Sequence, residues 1–175
     1  WWVSVPIAAA NQHRSDFGQI ATFDAAILRI ETDDGIVGWG EGKNAAGSAG
    51  TYGALVHMLN HEVGPHLVGR DPRDISDIWD TLYNGVRHHS AKLSGHAMPQ
   101  LSRRGISMAA ISAVDLALWD ILGKSLNVPV WRLLGGRKTD RMKAYASGGW
   151  ANADEIGEQR LGYIARGGFK AVKMR

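Results

Sequence analysis

The sequence contains no cysteine. Disulfide staples, thiolate metal sites and a cysteine nucleophile are therefore excluded. Charge of one sign is lacking too. Lys and Arg number 20 against 17 Asp and Glu, for a net charge of +3. The cations are scattered apart from Arg103-Arg104, which is no nucleic-acid footprint. No run of about 18 apolar residues is present, so no membrane-spanning segment is expected. The N-terminus has no signal-peptide pattern, and a cytoplasmic protein is expected. With 45% hydrophobic residues in 175, the chain is a globular protein with one sizeable core or two small ones. It opens on Trp1-Trp2 without Met and stops inside an apparent strand, the expected look of a piece cut at both ends.

What is present is organised around residues 107–136. Ile106, Ala109, Ala110, Ala113, Leu116, Ala117, Trp119 and Leu122 follow the spacing of an amphipathic helix. The small residues on that stripe let another element approach closely. Pro129 stops the helix, one short turn follows over Val130–Leu134, and Gly135-Gly136 end it with positive φ. Asp115 and Asp120 lie on the helix, but a structural reading serves them better than a catalytic one. Asp120 and Lys124 form an i,i+4 pair, and Asp115 suits a neighbouring helix end.

Before this helix, residues 1–42 read as an antiparallel sheet of about three strands. A strand over 1–10 is interrupted at Pro6. Thr22–Thr32 and Ile36–Glu41 are joined by the turn Asp33-Asp34-Gly35. Gly38 and Gly40 imply a close backbone approach on one face. The polar stretch 11–19 reads as a loop that gathers His13, Arg14 and Asp16, either as a binding loop or as a solvated one with a local ion pair. Lys43–Gly50 is a small-residue loop without P-loop spacing.

Tyr52–Leu67 reads as a helix, with His57 and His61 on one face but no third metal ligand at a set spacing. Asp71-Pro72-Arg73-Asp74 starts the next helix, with Asp71 as its N-cap. That helix carries Ile75, Ile78, Trp79, Leu82, Tyr83 and Val86 as a core stripe. Residues 87–104 have no clear period and read as an exposed connector or an insertion near a substrate or neighbouring subunit.

After Gly136 the grammar becomes strand, helix, strand: Met142–Ser147, Asp154–Arg166 and Phe169–Arg175. This is a parallel βαβ unit with a right-handed crossover. Lys173 and Arg175 fall on the same face of its last strand, and they either serve an active site at a strand end or fray into solvent.

Four stretches carry a family resemblance: TDDGIVGWGE at 32–41, DPRDISDIWDTLY at 71–83, AAISAVDLALWDILGKSLNVPVWRLLGG at 109–136 and GGFKAVKMR at 167–175. They resemble the enolase superfamily, specifically the mandelate racemase/muconate lactonizing enzyme group. The resemblance implies an α+β capping domain (antiparallel sheet followed by helices) over 1–125. It is joined to the first βαβ unit of a modified TIM barrel over 126–175, incomplete in this chain. It also implies proton abstraction α to a carboxylate, with Mg²⁺ stabilising the enediolate. The expected partners are a small carboxylate substrate and further copies of the chain in a homo-oligomer, without nucleic acid or membrane.

The family's Lys-x-Lys motif maps onto Lys173 and Arg175. Lys173 takes the position that orients the substrate carboxylate. Arg175 stands where a lysine base would sit, and a guanidinium stays protonated up to pH ~12. Two-base racemisation is thereby disfavoured, and a one-base dehydration of an acid sugar, with a histidine base on a later strand, is expected. Racemase, epimerase and cycloisomerase chemistry are the alternatives within the superfamily, and an anion-binding module without catalysis is the alternative outside it. By position, His13, Arg14, Asp16 and the 43–51 loop are the expected substrate-selecting residues. The metal ligands are expected on barrel strands that this chain does not contain, so the chain alone is expected to be inactive.

Overall fold

The computed structural model describes residues 1–9, 12–15, 18–43, 51–95, 104–148 and 153–173; within these, the side chains at 13–15, 18, 51 and 86–93 are outside the description. The chain divides into two compact units, Trp1–Gly135 and Gly136–Arg175. The sequence placed the division after residue 125. The short helix beyond that point folds back on the first unit, where the Val128 carbonyl and Val130 pack over Gly123, so the unit extends to Gly135.

The first unit begins with a three-stranded antiparallel sheet of β1 (Trp2–Pro6), β4 (Thr22–Glu31) and β5 (Val37–Gly42), with β4 in the centre. Register runs Trp2 against Ala26 to Pro6 against Thr22, and Ala26 against Gly42 to Glu31 against Val37. The turn is held by Gly35 at φ 85°, with the Gly35 N–H donating to the Thr32 carbonyl at 2.9 Å. Residues 11–19, expected to be a loop, instead contain a small hairpin of β2 (His13–Ser15) and β3 (Gly18–Ile20). Three-residue strands are too short to show alternation in sequence.

The helical layer contains α1 (Thr51–Met58), a wider turn over Leu59–Val63, a tighter one over Gly64–His66, α2 (Ile75–Leu93), α3 (Ile106–Ser125) and α4 (Val130–Leu133). The expected helix over 52–67 is thus continuous but changes pitch before Pro65. α2 begins later than its cap motif suggested. The Asp71 carboxylate accepts the Arg73 backbone N–H at 2.9 Å and pairs with the Arg73 guanidinium. The first helical bond is donated by the Ile78 N–H to the Asp74 carbonyl. The hydrogen bonds from Arg73 hold the Asp71 carboxyl down at about 2. α2 runs on through residues expected to be irregular, but it kinks at Gly85, where φ is 74°.

α3 is the central element. Its Ala109, Ala113 and Ala117 pack on Gly38, Gly40 and Gly42 of β5. A Cβ on Gly40 would stand 1.9 Å from the Ala113 carbonyl oxygen, and one on Gly38 would stand 2.2 Å from that of Ala117. Glycine on the strand and alanine on the helix therefore set how closely the two backbones meet. The other sides of α3 are covered as well, so Ile111, Val114, Leu118 and Ile121 are buried, whereas Leu116, expected on the buried stripe, is 52% exposed. α3 is long and apolar enough by length and composition to cross a membrane, although Asp115, Asp120 and Lys124 interrupt its apolar run. Here its apolar surface forms the core with Leu55, Leu59, Ile78 and Leu82.

The second unit pairs β6 (Ala146–Ser147) with β7 (Val172–Lys173) in parallel, with α5 (Ile156–Gly167) between them in sequence. Gly168 ends α5 in the left-handed conformation, and its N–H donates to the Ile164 carbonyl at 2.9 Å. The expected βαβ order is present, with strands shorter than the sequence suggested.

Candidate active-site elements

In the second unit, parallel pairing brings the C-terminal ends of both strands together. The Ala146 N–H donates to the Ala171 carbonyl at 3.0 Å, and Ser147 is the register partner of Lys173. Lys173 is thus the last residue of β7 and is exposed. Arg175 lies outside the described residues. Ser147 was not singled out in the sequence; its signal is its place at a strand end just before Gly148-Gly149. A Cβ on Gly148 would sit 2.6 Å from the outer end of the Tyr163 ring of α5, so a larger residue there would require that ring to shift. Tyr163 in turn carries the Arg166 guanidinium 5.8 Å from its centre.

In the first unit, the described parts of the expected substrate-selecting segments adjoin one end of the sheet. β1 ends and β4 begins at the paired Pro6 and Thr22, and β5 ends at Gly42, which pairs with Ala26. The hairpin bearing His13 and Arg14 and the segment after Gly42 therefore leave the sheet at the same end. His13 pairs with Ile20 and Arg14 with Gln19. Asp16 and residues 44–50 lie outside the described residues. The foot of the hairpin is tied down by Gln12, whose Nε2 donates to the Ile7 carbonyl at 2.9 Å and whose Oε1 accepts from Gln19 Nε2 at 2.7 Å. Asp24 is buried at this end, beside Ser4 in register. Its signal was a carboxylate at an inward position of an alternating strand.

The two helix carboxylates have structural roles. Asp120 Oδ2 accepts from the Trp39 N–H at 2.9 Å and from Lys124 Nζ at 2.6 Å, and Lys124 Nζ also donates to the Val37 carbonyl at 2.7 Å. The expected pair thus forms and also clasps the open edge of β5. Asp115 lies between α3 and α2 beside Ile75, Ile78 and Trp79, and burial pushes its carboxyl up.

A concavity of about 1130 Å³ lies at the other end of the sheet, between the Asp33-Asp34 turn and residues 64–73. It contains none of the expected site residues. The His57 and His61 rings lie 4.4 Å apart. Among the described residues no three His, Asp or Glu side chains gather to hold a metal ion, so these residues do not provide a Mg²⁺ site.

Residues 3–135 match the family model for the mandelate racemase/muconate lactonizing enzyme N-terminal domain. The chain belongs to this family, within the enolase superfamily. The family's capping domain is the first unit described above, and the βαβ unit follows it. The chain is 42% identical over 149 residues to a D-galactonate dehydratase of Klebsiella pneumoniae (strain 342), a match covering 84% of this chain and 34% of the relative. A racemase from Streptomyces coelicolor A3(2) with bound magnesium superposes with a TM-score of 0.76 at 28% identity, over 99% of this chain and 44% of the other. An N-succinyl Arg/Lys racemase from Bacillus cereus ATCC 14579 gives 0.74 at 28% identity, over 99% and 42%. The chain spans about a third of the length of the curated relatives it matches.

Proposed function

We propose that this chain is the capping domain and barrel start of a Mg²⁺-dependent acid-sugar dehydratase. The observation that carries this reading is the 42% identity to a D-galactonate dehydratase, over 84% of the chain. In such a reaction a base removes the proton α to the substrate carboxylate, and the β-hydroxyl leaves as water. The resulting enol then becomes a 2-keto-3-deoxy acid. Lys173, at the end of β7, orients and neutralises the carboxylate. Arg175 supplies a fixed positive charge and cannot serve as the base, because it does not deprotonate near neutral pH. The base is a histidine on a later barrel strand. The hairpin with His13 and Arg14, together with Asp16 and the segment after Gly42, selects the sugar chain. Mg²⁺ enters this reading through the family, with ligands on strands that this chain does not contain.

A racemase or epimerase of the same superfamily is the second reading, favoured by the likeness in fold to racemases. The two are separated by incubating the polypeptide that includes the remaining barrel strands with Mg²⁺ and a panel of acid sugars in D₂O. Formation of a 2-keto-3-deoxy acid from D-galactonate or a related sugar acid supports the dehydratase. Exchange of the α-proton with no loss of water replaces it with the racemase reading.

A further inference from the structure

We infer that His57 and His61 form a two-imidazole site for a divalent copper or nickel ion. Leu55, Leu59 and Val63 are buried in the core. The residues two further along from Leu55 and Leu59 are His57 and His61, which fall on the opposite face and are exposed. Their ring nitrogens are therefore open to solvent. The Leu59–Val63 turn is closed by an i→i+5 bond, in which the Gly64 N–H donates to the Leu59 carbonyl. Pro65 follows at once and has no N–H with which to continue α-helical bonding. His57 stands in α1 and His61 in this wider turn. The rotation between them is thus close to one full turn, which brings one ring beside the other. Single turns of this wider kind recur at functional sites.

The ring geometry selects the cation. The two ring centres lie 4.4 Å apart, with their planes at 37°. A metal–nitrogen bond of about 2.0–2.1 Å sets the ion about 3.2 Å from each ring centre. Two such rings have centres about 4.5 Å apart when they meet the ion at a right angle, and about 5.2 Å apart at a tetrahedral angle. The observed spacing matches the right angle, which suits tetragonal Cu²⁺ or Ni²⁺ better than tetrahedral Zn²⁺. Mg²⁺ takes oxygen ligands, so the pair is not a Mg²⁺ site and is independent of the dehydratase reading. Water fills the remaining positions around the ion. The local field is favourable too. Residues 51–63 contain no Lys or Arg, and Glu62 is their only formal charge. His61 also lies in the last turn of its helical segment, where the helix dipole favours a cation. Bound there, the ion clips α1 to the wider turn and stabilises the folded chain, because the unfolded chain does not hold the two rings together.

The absence of cysteine removes thiolates as competing ligands. The test is calorimetric titration of the tag-free 175-residue chain with Ni²⁺. His57→Ala, and separately His61→Ala, are each expected to weaken the tightest Ni²⁺ site at least about tenfold, because loss of either ring removes the chelate. Both side chains are exposed, so far-UV circular dichroism is expected to be unchanged. His66→Ala, in the next turn of the chain, is the control and is expected to leave the affinity as it was. Electron paramagnetic resonance with one equivalent of Cu²⁺ is expected to show two imidazole nitrogens on the ion in the parent and one in either variant. This readout does not depend on the stability of the variants. Affinity unchanged in both variants overturns the inference in favour of other histidines. No binding of Ni²⁺ or Cu²⁺ by the parent overturns it and leaves the rings as a stacked pair only. A loss in His66→Ala as large as in the other two overturns the assignment to this pair.

Discussion

Gly40 shows how a single missing side chain sets the geometry of the unit. An added Cβ would stand 1.9 Å from the Ala113 carbonyl oxygen and 2.9 Å from its carbon. Both are backbone atoms on the central helix, so relief requires α3 to move away from the sheet. Gly40→Ala is expected to destabilise the fold by about 3 kcal/mol or more, at the upper end for overpacking. Gly35 is the control. It has φ +85° and no neighbour within 4 Å, so Gly35→Ala carries only conformational strain, about 1–2 kcal/mol. Urea denaturation of the two variants checks this, and equal losses would mean that sheet and helix are not in the contact described. Asp115 yields the opposite kind of variant. Burial pushes its carboxyl above the ordinary value, so the folded state binds its proton more tightly than the unfolded chain does. The stability linked to that proton is complete below the ordinary carboxyl pKa and is lost as pH rises through the raised one. Asp115→Asn is therefore expected to melt higher than the parent at neutral pH, with the gap closing in acid. A gap of the opposite sign at neutral pH would show that the ionised form has a partner worth more than its desolvation.

At the scale of elements, β5 is an edge strand whose open side is covered by two side chains from α3. Trp39 N–H and the Val37 carbonyl bond to Asp120 and Lys124, which stops the edge from offering an unpaired ladder. The sequence showed the i,i+4 pair but not its second task, because the partners lie 81 and 87 residues away. Asp120→Ala is expected to cost about 1–2 kcal/mol, since a charged acceptor on a backbone amide is worth more than an exposed ion pair. It should also speed exchange of the Trp39 amide specifically. Loss of stability without that change would place the role of Asp120 within α3 alone. Elements with a long period or a firm stop were legible: the β4–β5 turn, α3, the break at Pro129 and the glycine exits. The β2–β3 hairpin was not, because its strands are three residues each. Nor was the far part of α2, because the kink at Gly85 resets the helix before any apolar stripe can recur.

For the whole molecule, the fold was more legible than the site. Glycine and alanine spacing announced the sheet–helix contact from the residues themselves. Lys173 and Arg175 drew meaning from the family resemblance, since alternation alone allowed either a working strand end or a frayed one. On the proposed reading, the groups that complete their chemistry lie on later barrel strands, so no local pattern here could reveal them. The same division appears in burial. In the first unit, α3 buries Ala110, Ala113 and Ala117 completely. Among the described residues of the second unit only Ala146 is buried, and α5 buries none. Two paired residues per strand and one buried alanine do not offset the entropy of ordering a helix and two strands. Amides of α5, β6 and β7 are therefore expected to exchange orders of magnitude faster than those of α3 and β5 in the 175-residue chain. In a polypeptide that continues through the barrel, they should slow as later strands and helices cover them. Hydrogen–deuterium exchange read by mass spectrometry compares the two directly. If α5 were protected as strongly as α3 in the shorter chain, the βαβ unit would have a stability of its own that its burial does not explain.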